Sequence, residues 1–228
     1  MGVCHAWFKI LRIQYRENIE GRCLWQRLIK GIIRDFFMII GLGTGRCGTL
    51  SLSRLLQKVG LKVPHELSPV VSWEDGSARN RLDLLNNSKL DGDVAFWYLN
   101  LVEEMNEMCD KIRFVCMQRN IDETVHSYMR WTAGRNHWMH HLGYEWHKDY
   151  TWDQCYPKYN IDSKSQACRL YCEEYHSRSM KLQENMENFK IFDVNYLNSK
   201  SGVKSVFDFL DIDVKVSEDL VDIRCHRS

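Results

Sequence analysis

The chain is short of several things, and each shortage excludes something. Only three prolines occur in 228 residues, so a long disordered linker is not expected. No stretch reaches the roughly 18 consecutive apolar residues of a membrane-spanning helix. The formal net charge is +1, which leaves no basic field to recruit nucleic acid. Nine cysteines are present, an odd number without a C-x-x-C pair or zinc-finger spacing, and reduced thiols in a cytoplasmic setting are expected. There is no H-E-x-x-H among His137, His140, His141 and His147, so no metal site is expected. At the N-terminus no cleavable apolar region follows the charges, and Ala6 stands where an acylation signal asks for Ser or Thr.

What is present points to one α/β domain over residues 36–228, preceded by a basic extension at 1–35. Residues 1–34 carry seven Lys/Arg against two Glu, with Trp7, Ile10, Leu11, Leu24, Leu28 and Ile32 as the apolar positions of a helical stripe. A helix packed on the domain is the favoured expectation there, and contact with a membrane surface is the alternative. Further on, apolar runs alternate with helical patterns, which predicts a doubly wound, mostly parallel sheet flanked by helices. Strands are expected at 36–42, 61–66, 112–118 and 190–194, and a strand end at 93–99 runs into a helix at 98–109. Other helices are expected from Leu50 to Gly60, from Asn120 to about 132, at 163–187 and at 205–212, with one short helix inside 68–89. Residues 131–160 are rich in Trp, Tyr and His and read as a lid over an acceptor pocket.

The stretch GLGTGRCGTL, residues 41–50, leaves the first strand and opens the first helix. Backbone N–H groups without helical partners converge at such a junction and make an anion site. Three templates fit in part. Against a nucleoside-triphosphate loop, Gly43 and Gly48 match, but Thr49 replaces the lysine and Leu50 the magnesium ligand. The strand at 112–118 also ends in Gln118 and Arg119, where a metal-binding acid is expected, so ATP or GTP hydrolysis is disfavoured. Against the dinucleotide fingerprint, Gly43, Gly45 and Gly48 match and Glu66 follows 23 residues later, near the place of a ribose-binding acid. Neither template accounts for Arg46.

Arg46-Cys47-Gly48-Thr49-Leu50 resembles the 5′-phosphosulfate loop of the sulfotransferase family, a strand followed by [K/R]-[S/C/A]-G-[T/S]-[T/S] opening a helix. The family's second mark is an Arg ending a later buried strand with a Ser eight residues on. Arg119 and Ser127 fit it, although Asn120-Ile121 departs from the family's usual R-D-P. The resemblance covers roughly residues 36–212, including the closing FLDI at 209–212. It implies a P-loop NTPase-like fold and 3′-phosphoadenosine-5′-phosphosulfate as a sulfuryl donor used without a metal. Gly45, Arg46, Cys47, Gly48, Thr49 and Leu50 would hold the 5′ side of that donor, and Arg119 and Ser127 its 3′-phosphate. The resemblance also implies an acid after the second strand as general base, and Glu66 occupies that slot. Arg46 would assist the departure of the leaving phosphate, and His65, Trp97 and Trp138 would contact the acceptor, a small molecule or a carbohydrate. His65 is the nearest rival for the base, and Asp91 and Asp93 are further candidates, although turn positions are the favoured expectation for those two. Two other readings stay open: a nicotinamide-dependent oxidoreductase, and a nucleotide-binding protein without chemistry.

Overall fold

The computed structural model describes residues 37–221 and residue 223, so the expected N-terminal extension lies outside the described residues. Four parallel strands form the sheet: β1 Met38–Leu42, β2 Gly92–Val94, β3 Ile112–Gln118 and β4 Phe189–Asp193, in the order β2-β1-β3-β4. Among the described residues six α-helices accompany them: α1 Thr49–Lys58, α2 Ala78–Asn87, α3 Val102–Met108, α4 Ile121–Thr132, α5 Lys164–Asn185 and α6 Lys200–Phe209.

Side-chain alternation along the strands gives the sheet two apolar faces. Ile39, Val115 and Met117 point to one side, where Leu52, Leu55 and Leu56 of α1 and Val203, Val206 and Phe207 of α6 cover them. Ile40, Leu42, Phe114 and Cys116 point to the other, beneath α2 to α5 and the turn at Phe96–Asn100. The chain passes from β1 to β2 on one side and then places β3 on the other side of β1. That reversal opens a crevice at the carboxyl ends of β1 and β3. Serine and asparagine caps set several helix starts. Asn120 accepts from Glu123 N at 3.1 Å, and Asp122 and Glu123 occupy the first turn of α4, where the helix dipole favours them.

Three element boundaries differ from expectation. Residues 61–66 form no strand; they run beside β2 with one bridge, His65 to Val94. Val94 N donates to Pro64 O at 3.0 Å and Glu66 N to Val94 O at 2.9 Å, but Pro64 has no N–H to continue the ladder. The helix expected at 98–109 is divided, a 3-10 turn at Phe96–Asn100 preceding α3. The last helix starts earlier than the apolar pattern indicates, because Ser199 caps it by accepting from Gly202 N at 3.1 Å, and it spans Lys200–Phe209. Among the described residues no helix is long and apolar enough to cross a membrane.

Gly92 marks the tightest approach in the sheet. A Cβ added there would stand 1.8 Å from the carbonyl oxygen of Ile39 on β1. Gly92→Ala must therefore push β2 away from β1, and we expect a loss of stability of about 3 kcal/mol, read as a lowered urea midpoint at unchanged slope. An unchanged midpoint would show that the two strands yield freely.

Candidate functional site

The loop between β1 and α1 is built from left-handed backbone: Gly43, Gly45, Arg46 and Gly48 all have positive φ. At Gly45 (φ 81) a Cβ would meet the Tyr128 hydroxyl at 2.3 Å, so only glycine fits. Arg46 tolerates φ 55 as an ordinary residue, a conformation that persists where the surroundings impose it. Those surroundings are tyrosines. Tyr175 of α5 accepts from Gly43 N at 2.9 Å and donates to Phe96 O at 2.9 Å. Tyr171 donates to Thr44 O at 2.9 Å, and Tyr128 of α4 donates to the same carbonyl. All three tyrosines are buried.

Over this loop lies a cavity of about 810 Å³. Gly45, Arg46, Gly48, Thr49 and Leu50 line one wall, Arg119, Glu123 and Ser127 another, and His65 and Glu66 a third. Arg46 Nε donates to Ser127 Oγ at 3.1 Å, and its guanidinium lies over the Trp131 ring, 5.8 Å from the centroid. Arg119 Nη1 reaches Arg46 O at 3.4 Å, while its Nε donates to Glu123 at 2.8 Å. The two groups of phosphate-type residues expected from sequence therefore meet directly, with Arg46 touching both. His65 Nε2 and Thr49 Oγ1 are 3.1 Å apart, and His65 Nδ1 stands 3.7 Å from Glu66.

Glu66 has the most informative electrostatics in this cavity. Burial pushes its carboxyl up to about 7, and the nearby Asp93 carboxylate adds to the rise. Asp93 is itself fully buried on β2, with Arg81 Nη2 at 2.9 Å and the Tyr98 hydroxyl donating at 2.8 Å. Asp93, expected as a turn residue, is instead the centre of a buried polar network. No local pattern announces it, because Arg81 and Tyr98 come from other elements.

The remaining expectations divide. Cys47 sits in the loop, but its side chain is buried in the core on the α1 and α6 side of the sheet, and burial pushes its thiol up to about 11. Trp97 and Trp138, expected at the acceptor, are 1% and 0% exposed and do not line the cavity. Trp97 instead packs on Arg81, 5.6 Å from its ring centroid, and Trp138 on Tyr128 at 5.0 Å. The aromatic wall is made by Trp131, Trp152, Tyr156 and Tyr128. Hydrophobicity alone does not separate rings that face a cavity from rings that fill a core. The segment 131–160 is anchored by His137 Nδ1 against Asp153 at 2.7 Å and by Lys158 Nζ donating to His137 O at 2.6 Å. Sequence reading also missed the floor of the cavity after β4, formed by Asp193, Val194, Asn195, Leu197 and Asn198 together with Ile223.

No protein-family model matches the chain, and no curated protein does either.

The raised carboxyl links stability to pH. An unfolded Glu ionises near 4.5, whereas folded Glu66 ionises near 7. Below 4.5 both states are neutral and burial has little cost; as pH rises the unfolded chain ionises first and stability falls, until the cost levels off above 7. At 1.36 kcal/mol per unit this approaches about 3 kcal/mol at most. Glu66→Gln removes it. The stability difference between variant and wild type should grow from pH 4.5 to 7 and then stay constant, measured by urea unfolding across that range. A flat difference would mean that Glu66 is not held in a low-dielectric place.

Proposed function

We propose that the protein is a P-loop-type sulfotransferase acting from 3′-phosphoadenosine-5′-phosphosulfate. The observation that carries this reading is the convergence of Arg46 and Thr49, Arg119 and Ser127, and the Glu66 carboxyl on one cavity. The donor's chemistry fits these residues: it has phosphate groups at two positions, and here two cations and two hydroxyls stand beside a strand-to-helix loop. When bound, the donor supplies an activated sulfuryl group. The chain's part is binding, orientation and proton transfer. Arg119 and Ser127 hold the 3′-phosphate, and Arg46, Thr49 and the loop N–H groups stabilise charge on the leaving phosphate. Glu66 takes the proton of the acceptor hydroxyl or amine, and His65, between Glu66 and Thr49, orients it. An acid ionising near 7 is matched to that task at neutral pH. Trp152, only partly buried, adds apolar ring surface to the cavity wall, which suits a neutral small molecule or a sugar.

Glu66→Gln should lower transfer to an acceptor panel by about 100-fold or more. The same variant should bind 3′,5′-diphosphoadenosine within about twofold of wild type, because the amide keeps the shape of the carboxyl and Glu66 is not among the groups assigned to the phosphates. Arg119→Ala should weaken that binding by about tenfold or more, since a charge-assisted contact is lost. Thermal shift with 3′,5′-diphosphoadenosine and with NAD(P) reads the ligand class. Stabilisation by NAD(P) alone would overturn the proposal in favour of an oxidoreductase, and binding without transfer in wild type would leave a nucleotide-binding protein.

A further inference from the structure

Glu66 stands on a stretch with no regular secondary structure, yet that stretch is held firmly, and by an unusual pair. Arg81 of α2 and Asp93 of β2 are 3% and 0% exposed and 2.9 Å apart. A buried ion pair is weak support for stability, because two desolvated charges are often replaced by apolar residues without loss. The direction of its other bonds is more telling. Both Asp93 oxygens accept from Leu67 N, at 3.3 Å each. Arg81 donates from Nη2 to Leu67 O at 2.5 Å and from Nη1 to Pro69 O at 3.0 Å. Arg81 Nε donates to the Tyr98 hydroxyl at 2.7 Å, which in turn donates to Asp93. Apart from the Tyr98 link, the side-chain hydrogen bonds that the pair makes to its surroundings among the described residues go to Leu67 and Pro69, directly after Glu66. Glu66 has φ 55, a conformation its own side chain does not favour, and Val94 O fixes its N–H from the other side at 2.9 Å.

We propose that the Arg81–Asp93 pair is a positioning device for Glu66: it clamps Leu67 and Pro69 so that the Glu66 carboxyl faces the cavity in one place, beside the buried Asp93 carboxylate. This rests on the reading of Glu66 as the base. The charged and titratable groups facing Glu66 are His65 from its own stretch, Asp93 from β2, Cys155 and Tyr156 from the 131–160 segment, and, across the cavity, Arg46, Arg119, Glu123 and Asp193. Among them Asp93 is the one that opposes ionisation of Glu66 from within the core.

Two substitutions separate charge from clamp. Asp93→Asn removes the negative charge and keeps an amide able to meet Leu67. Arg81→Lys keeps the positive charge and loses the planar fork that spans two carbonyls. The Glu66 midpoint is followed by carbon-13 NMR of labelled glutamate, assigned with Glu66→Gln, and transfer is followed against pH. Asp93→Asn should lower the Glu66 midpoint by about half a unit or more, with the acidic limb of the rate profile moving alongside. Arg81→Lys should leave the midpoint nearly in place and lower the transfer rate by about tenfold at unchanged donor KM, the signature of a misplaced base. Folded variants that match wild type in both midpoint and rate would overturn the proposal, and so would collapse of both variants in thermal melts, which would make the pair a stability element. A midpoint that falls in Asp93→Asn while wild type shows no transfer would keep the effect of the Asp93 charge on Glu66 and remove the sulfotransferase reading. Transfer that needs Glu66 but is indifferent to both substitutions would do the reverse.

Discussion

The carbonyl of Thr44 is the point on which the site depends. It is buried, it belongs to a loop with no ladder to satisfy it, and two tyrosine hydroxyls from different helices converge on it. An unpaired buried carbonyl costs free energy of the order of a lost hydrogen bond, about 1–3 kcal/mol, so the loop is stable only where those hydroxyls are. Turning Thr44 O inward, and Gly43 N onto Tyr175, fixes the loop's curvature. Positive φ at Gly45, Arg46 and Gly48 then becomes a consequence of packing rather than a local preference. Because α4 carries both Tyr128 and Ser127, the residue that braces the loop and the residue that meets Arg46 are neighbours in the chain. The loop and the core are thus one piece of construction.

The same economy explains why the long helix α5 lies where it does. Its Tyr171 and Tyr175 put apolar rings into the core and polar tips on the loop and on Phe96 O. Tyr171 packs edge-on against Trp73, Tyr156 and Tyr175, so the ring array that fills one face of the sheet also extends to the cavity wall at Tyr156. Phenylalanine would fill that space equally well but would leave Thr44 O and Gly43 N without partners.

Some of the signals in this sequence are local, and others exist only in the folded chain. β3 is legible at its observed limits because seven consecutive residues are largely apolar and bounded by charge and by the Asn120 cap. The loop was found because glycines and an arginine at a strand-to-helix junction constrain the backbone wherever they occur. The strand expected at 61–66 failed at Pro64, whose missing N–H matters only once β2 lies beside it. Trp97 and Trp138 failed for another reason: a ring's depth depends on which helices cover it, and nothing nearby in sequence records that. Arg81, Asp93 and Tyr98 form the extreme case. Each is unremarkable in its own window, and their meaning appears only when three elements meet.

That network also shows how stability and chemistry oppose each other here. Asp93 is held beside Arg81 at the cost of desolvating two charges, and its field then disfavours ionisation of Glu66. A protein selected for stability alone would do better with apolar residues at 81 and 93 and a neutral one at 66. Instead the chain accumulates buried charge along one line, from α2 through β2 to the cavity edge, and accepts φ 55 at the residue that ends it. Such local conflict is expected where a group must be kept ready rather than comfortable, because a fully solvated carboxylate ionises near 4 and is a weak base. The arrangement makes Glu66 a stronger base than an exposed Glu, with His65 Nδ1 3.7 Å from its carboxylate. Burial supplies the shift, Asp93 increases it, and the clamp keeps both constant.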